Sequence, residues 1–219
     1  MPRTPDPDVR TRLVERAAEA LVLGRPTTLR ALAESAGTST MAVYTHFGGM
    51  DGLWDAVRAE GFARLHARLA RLRPTDDPVR DLTATGTAYV LNALANPHLY
   101  ARMFDGRGGA PPPPEAATAF DVLVDATRRA VEAGRFDAGT DARGAALELW
   151  AMTHGLVSLV ITGALGPEDL VAHLPRMSVA AFTGLGDERA RAEASVAAAA
   201  VTLRQARTAL RGGQSSQSS

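Results

Sequence analysis

Apolar residues recur at intervals of three and four along almost the whole of this 219-residue chain, and over no convincing run do they alternate with period two. A spacing of three and four puts apolar side chains on one face of a helix, whereas a half-buried strand needs strict alternation. The chain therefore reads as all-α. With 46% apolar residues it can bury a sizeable core as one small and one medium domain. Cysteine is absent, so neither a disulfide framework nor a thiolate metal site can be built, which suits a reducing compartment. The first residues, Met1-Pro-Arg-Thr-Pro-Asp-Pro-Asp, lack the apolar run of a secretory signal, and no later stretch approaches eighteen uninterrupted apolar residues. A cytoplasmic protein without a membrane partner is expected.

The formal net charge is zero, but it is unevenly spread. Residues 1–73 hold 11 Arg and 8 acidic residues, net +3, and residues 74–219 hold 13 Arg and 16 acidic residues, net −3. The basic excess thus lies in the first third, where a polyanionic partner would be met.

Helix punctuation divides the chain further. A first helix is predicted to open after Asp6-Pro7 and to end at Gly24 and Pro26. Short helices follow at Thr28–Ala36, ended by Gly37, and at Thr40–Phe47, ended by Gly48-Gly49. A longer helix is predicted over 51–72, broken by Pro74 to Pro78, and others over 79–95, 97–105, 115–133, 141–163 and 168–183. An Ala-rich helix should span 187–210. The Gly- and Pro-rich run from Gly106 reads as a loop, and the Gly/Gln/Ser end as a disordered tail. Three parts are expected: residues 1–52 as a helix-turn-helix domain, 53–211 as a helical effector-binding and dimerisation domain, and 212–219 as the tail.

Within the first part, Ala33, Gly37 and Val43 have the spacing that a helix-turn-helix requires. Ala33 lets two helices approach, Gly37 can take the positive φ of a sharp turn, and Val43 with Phe47 faces inward. The outward face is then Thr40, Met41, Tyr44 and Thr45, while Thr27, Thr28 and Ser39 stand at helix N-termini, where phosphate is readily bound. The string Ala36-Gly-Thr-Ser-Thr-Met-Ala-Val-Tyr-Thr-His-Phe47 resembles the recognition-helix signature of tetracycline-repressor (TetR) family regulators, with the match running over residues 8 to 60. That resemblance implies that Tyr44 and His46 touch the DNA backbone and that Thr40 and Met41 touch base edges. It also implies a dimeric repressor on double-stranded operator DNA, released by a small-molecule effector. Two positions depart from the family pattern: Met50 stands where a Lys usually meets phosphate, and Gly49 replaces the usual Ser or Asn cap.

Farther on, Leu149-Trp-Ala-Met-Thr-His-Gly-Leu156 resembles the Trp-x-x-x-His-Gly string of one TetR-like C-terminal domain type, over Phe120 to Pro167. The 141–163 helix is apolar nearly all round, so it should be covered on more than one side. It is expected to build a four-helix dimer bundle with its symmetry mate, together with either the 168–183 or the 187–210 helix. Tyr89, Met103, Phe104, Phe120, Leu123 and Trp150 are candidates to line a mainly apolar effector cavity, with Thr127 and His154 as its hydrogen-bonding groups. For each of these, ordinary core packing is the competing reading. Arg128-Arg129 and Glu168-Asp169 read as solvated, the latter pair as helix-start acids.

Other chemistries find little purchase. His46, His66, His98, His154 and His173 form no i, i+4 pair, so no metal is expected, nor any cofactor. Phosphate-cradling glycine loops and a Gly-x-Ser-x-Gly elbow are missing. An all-helical enzyme or carrier using His154 beside Trp150 and Thr153 is the alternative, and it lacks a partner base or nucleophile. A helical interaction module using the final helix would leave the N-terminal signature idle.

Overall fold

The computed structural model describes residues 7–23, 25, 27–104 and 111–199. Ten helices lie among the described residues: α1 (Pro7–Val22), α2 (Leu29–Ser35), α3 (Thr40–Phe47), α4 (Met50–Leu69), α5 (Pro78–Ala95), α6 (Pro97–Met103), α7 (Pro114–Glu132), α8 (Ala142–Ile161), α9 (Pro167–Gly184) and α10 (189–199). No strand occurs among them. The predicted stop of α1 at Gly24 and Pro26, most of the Gly/Pro loop, the last part of the Ala-rich helix and the tail lie outside the described residues.

The chain forms two compact units, residues 1–66 with 96–119, and residues 67–95 with 120–219. This packing division differs from a boundary at 52/53, because most of α4 and all of α6 belong with α1–α3. In the first unit α1 packs on α2, α3 and α6. Leu13, Ala17, Leu32, Ala33, Val43, Leu53 and Val57 supply its dry centre. Gly61 on α4 lets α6 come close, since a Cβ there would lie 2.7 Å from Cγ of Met103.

In the second unit α8 packs on α5 and α9. Its core joins Val79, Leu82, Ala126, Ala130, Phe136, Leu149, Val179, Phe182, Ala192 and Val196. Asp141 caps α8 by accepting the N–H groups of Arg143 and Gly144, both at 3.1 Å. Asp169 accepts the N–H of Gly166 at 2.9 Å, the helix-start role expected of it.

A buried ion cluster ties the ends of this unit together. The Arg135 guanidinium donates to both carboxylate oxygens of Asp187, at 2.8 and 2.7 Å, to Asp77 at 2.6 Å and to Ser195 at 3.1 Å. Ser195 donates to the other oxygen of Asp77 at 2.6 Å. Hydrogen bonding to Asp187 is the main reason the guanidinium holds its proton even more tightly than usual. Burial pushes the Asp77 carboxyl upward, but the Ser195 hydroxyl, the Arg80 N–H and Arg135 outweigh it and hold the group below its ordinary range. Arg129, expected on a solvated face, instead reaches inward to Asp81 at 2.8 Å and to the carbonyl of Thr75 at 2.7 Å. Its neighbour Arg128 does stay exposed, paired with Asp125.

Candidate nucleic-acid interface and ligand cluster

Helices α2 and α3 are set by their caps and by the turn between them. Thr28 accepts the N–H of Ala31 at 3.2 Å and Ser39 accepts that of Ala42 at 3.3 Å, so both hydroxyls first serve their own helix. Gly37 has φ +65°, the left-handed conformation that the sharp turn needs, and the N–H of Thr38 returns to the carbonyl of Ala33 at 2.9 Å. Gly48, at φ +73°, closes α3 with its N–H on the Tyr44 carbonyl at 2.9 Å. The first turn of α4 then presses on α3: a Cβ at Gly52 would collide with the Phe47 carbonyl oxygen.

Orientation of α3 follows from burial. Val43 is fully enclosed and Ala33 nearly so, as a helix-turn-helix demands. Met41 and Tyr44, by contrast, are 70% and 56% exposed. Thr40 and Thr45 share that exposed face, Thr28 and Ser39 are exposed at the two N-termini, and Thr27 and His46 are half-buried. Phe47 carries the Arg10 guanidinium over its ring, 5.4 Å from the centroid. Arg12 donates to the Ala36 carbonyl at 3.4 Å. Neither arginine was singled out from sequence. Both sit on α1, and their partners Phe47 and Ala36 lie 37 and 24 residues on, beyond any periodic signal. Met50 and Gly49 behave as their identities require, α4 starting at Met50 with no side-chain cap from Gly49.

Of the eight residues proposed for a ligand, four meet in the second unit. Tyr89 on α5 and His154 on α8 are joined at 2.8 Å between the hydroxyl and Nδ1. The Trp150 indole N–H donates to the same hydroxyl at 3.4 Å. Trp150 stacks tilted on His154, with centroids 5.3 Å apart, and meets Phe120 edge-on at 6.2 Å. Burial lowers the His154 pKa, so the ring is disposed to be neutral. Two more residues in this unit face the core: Leu123 packs on the central apolar cluster, and the fully buried Thr127 spends its hydroxyl on the Leu123 carbonyl at 2.8 Å.

Met103 and Phe104 belong to the first unit. Met103 is 1% exposed beside Gly61, and its carbonyl accepts Arg58 at 3.0 Å. Phe104 packs on Tyr100 and Phe62, with centroids 4.8 and 5.4 Å away. A surface groove of about 900 Å³ runs along α9 and α10, lined by Val171, Met177, Val179, Val196, Arg176 and Arg189 among others, and none of the eight residues borders it. No cluster of three metal-ligating side chains occurs among the described residues.

Comparison with known proteins now decides the family. The family model described as bacterial regulatory proteins, tetR family, matches residues 25–57, and a tetracyclin repressor-like C-terminal domain model matches residues 82–182. The chain belongs to the TetR family of bacterial transcriptional regulators. A protein of unknown function from Rhodococcus sp. RHA1 is 30% identical, with 82% of this chain and 96% of that chain covered at a TM-score of 0.68. A regulatory protein of the tetR family from Rhodococcus RHA1 shares the fold at 22% identity, covering 82% of this chain and 98% of its own, with a TM-score of 0.58. RolR in complex with resorcinol shares it at 19% identity, covering 87% of this chain and 93% of its own, with a TM-score of 0.62. No curated protein matches by sequence. The first match covers α2, α3 and the start of α4, and the second covers most of α5–α9.

Proposed function

We propose that this TetR-family regulator is a homodimeric repressor that grips a palindromic operator duplex through α3 and is released from it by a small, mainly apolar effector. The observation that carries the reading is the face of α3: Met41 and Tyr44 project into solvent from a helix whose Val43 is locked inside. A large apolar side chain left exposed on a fixed helix has no use within its own unit, and a recognition helix presents just such a surface to the major groove. Thr40 and Met41 address base edges, with Thr45 beside them on the outward face, while Tyr44, His46 and the N-terminal residues Thr27, Thr28 and Ser39 address the backbone.

A second copy supports the two-fold symmetry of such an operator. Helix α8 is long and apolar enough, by length and composition alone, to cross a membrane, yet only 33% of that stretch is buried within the chain. Leu147 and Leu159 are 52% and 47% exposed, with Ala151 and Gly155 between them at steps of four. Another α8 laid along this stripe would cover it, which supports a dimer in the cytoplasm over a helix in a bilayer.

The effector is assigned to Tyr89, Phe120, Trp150 and His154, with Leu123 and Thr127 behind them. Three aromatic rings and one neutral imidazole suit a small ring compound bearing one or two hydroxyls, of the kind that RolR is described as holding. Met103 and Phe104 serve the packing of α6 on α4. Selection of bound duplexes from a random pool, followed by release with candidate phenols, tests this function. Enrichment of a palindrome that a phenol displaces supports it; a pool left unenriched overturns it.

A further inference from the structure

The recognition helix has an unusual chemical inventory. From Thr40 to Phe47 it contains no Arg, Lys, Asn, Gln, Asp or Glu. Those are the side chains that discriminate bases by paired hydrogen bonds: Arg or Lys for guanine, Asn or Gln for adenine, Asp or Glu for cytosine. Hydroxyl groups such as that of Thr40 accept or donate to several bases and choose weakly among them. With Tyr44 and His46 given to the backbone, the large side chain that α3 offers to base edges is apolar. Met41 is the most exposed of the large apolar side chains among the described residues, at 70%. One turn on, the Thr45 hydroxyl donates to the Met41 carbonyl at 2.9 Å, which commits its proton to its own helix and leaves a methyl for the outer face. Met41 and Thr45, four residues apart, therefore form one small patch of thioether and methyl. In the major groove of B-DNA one group answers it, the C5 methyl of a pyrimidine.

We propose that Met41, flanked by the Thr45 methyl, reads the C5 methyl of a thymine in each half-site, so that operator choice depends on a methyl group more than on hydrogen-bond pairing. The inference rests on the DNA-binding reading above and adds to it the chemical feature that is recognised. An unbranched, polarizable thioether suits this contact, because it adapts its three torsions to a methyl whose position varies with local twist.

The test uses the full-length chain and the duplex it enriches from a random pool. That duplex is remade with deoxyuridine at each thymidine in turn, a change that removes only the C5 methyl and keeps every hydrogen bond. Each version is bound to the parent protein, to Met41→Ala and to Met41→Leu. One thymine per half-site is expected at which the parent loses about 4-fold in affinity for each methyl removed, or about 15-fold for both half-sites, the worth of one buried carbon. Met41→Ala should be indifferent to the same replacement, and Met41→Leu should retain the dependence. Because the side chain is exposed, neither substitution should alter the helical circular dichroism. A parent protein indifferent to deoxyuridine at every position, a selected site without thymine, or equal losses for parent and Met41→Ala would overturn the proposal while leaving the DNA-binding reading intact. Failure to enrich any duplex would remove both.

Discussion

The Tyr89 hydroxyl lies 2.8 Å from Nδ1 of His154, and the Trp150 indole N–H points to that hydroxyl from 3.4 Å. An indole N–H can only donate, so the tyrosine oxygen accepts from Trp150, and the tyrosine proton lies within hydrogen-bond reach of the imidazole. Nδ1 can take that proton only if the ring is neutral with hydrogen on Nε2. Burial acts in the same direction, lowering the His154 pKa below its ordinary 6.5. The consequence for stability has a definite sign. Above pH 6.5 neither the folded nor the unfolded chain holds this proton; below it the unfolded chain binds it first, so stability falls as the pH drops. Thermal unfolding of the parent should therefore weaken between pH 7.5 and 5.5 more than that of His154→Gln. Parallel curves for the two proteins would remove His154 as the titrating group.

The same contact makes Trp150 a reporter of the effector cluster. Two tryptophans are present in the chain, and a Trp54→Phe variant leaves Trp150 alone to emit. Titration with resorcinol and related phenols should change its emission for any compound that releases DNA. Tyr89→Phe should weaken that response, and the effector should bind less tightly when operator is present, because the two affinities are reciprocally coupled. A releasing compound that leaves Trp150 emission unaltered would place the effector elsewhere.

Arg135 anchors the second unit from a position only 5% exposed, against an Asp187 side chain with no exposure at all. Arg135→Met keeps much of the volume and leaves Asp187 without its cation. Such a loss in a buried pair costs about 3–5 kcal/mol, read as a lower midpoint in urea. Little change in that midpoint would mean that water or a neighbouring group takes over the charge.

Oligomeric state provides an independent check. Leu147→Glu with Leu159→Glu puts two charges on the exposed stripe of α8 without touching the buried Leu149, Leu156 or Val157. Sedimentation at micromolar concentration should give a dimer for the parent and a monomer for the double variant, both fully helical. A parent that sediments as a monomer would contradict the two-fold arrangement.

Most of the helix plan could be read from the sequence, because Gly37, Gly48 and the Pro74 to Pro78 break act locally. Gly37 and Gly48 have positive φ as their positions demand, and α4 ends at Leu69, just before the break. The exposed face of α3 was equally legible, since one buried residue, Val43, fixes the rotation of the helix and so decides which of its neighbours are exposed. The grouping of Tyr89, Phe120, Trp150 and His154 was half legible. Aromatic residues at helical spacing do not say which helices come together, so Tyr89 and Trp150 could not be told apart from Met103 and Phe104, which belong to the first unit. Arg129 and Arg135 were invisible for a different reason. Their partners Asp81, Thr75, Asp77 and Asp187 lie 48 to 58 residues away, beyond any periodic signal.

The central claim is that α3 carries specific duplex recognition, and one binding measurement tests it most directly. A fluorescent copy of the duplex enriched by the full-length chain is titrated with the parent and with Tyr44→Ala, at several salt concentrations. Parent affinity should fall steeply with salt, by close to one logarithmic unit per tenfold salt for each phosphate neutralised. Tyr44→Ala, altered at a 56% exposed side chain, should bind more weakly by roughly 1–3 kcal/mol with its circular dichroism unchanged. Equal affinity of the two proteins for their best duplex, or binding of the parent no tighter than to a scrambled duplex, would contradict the account.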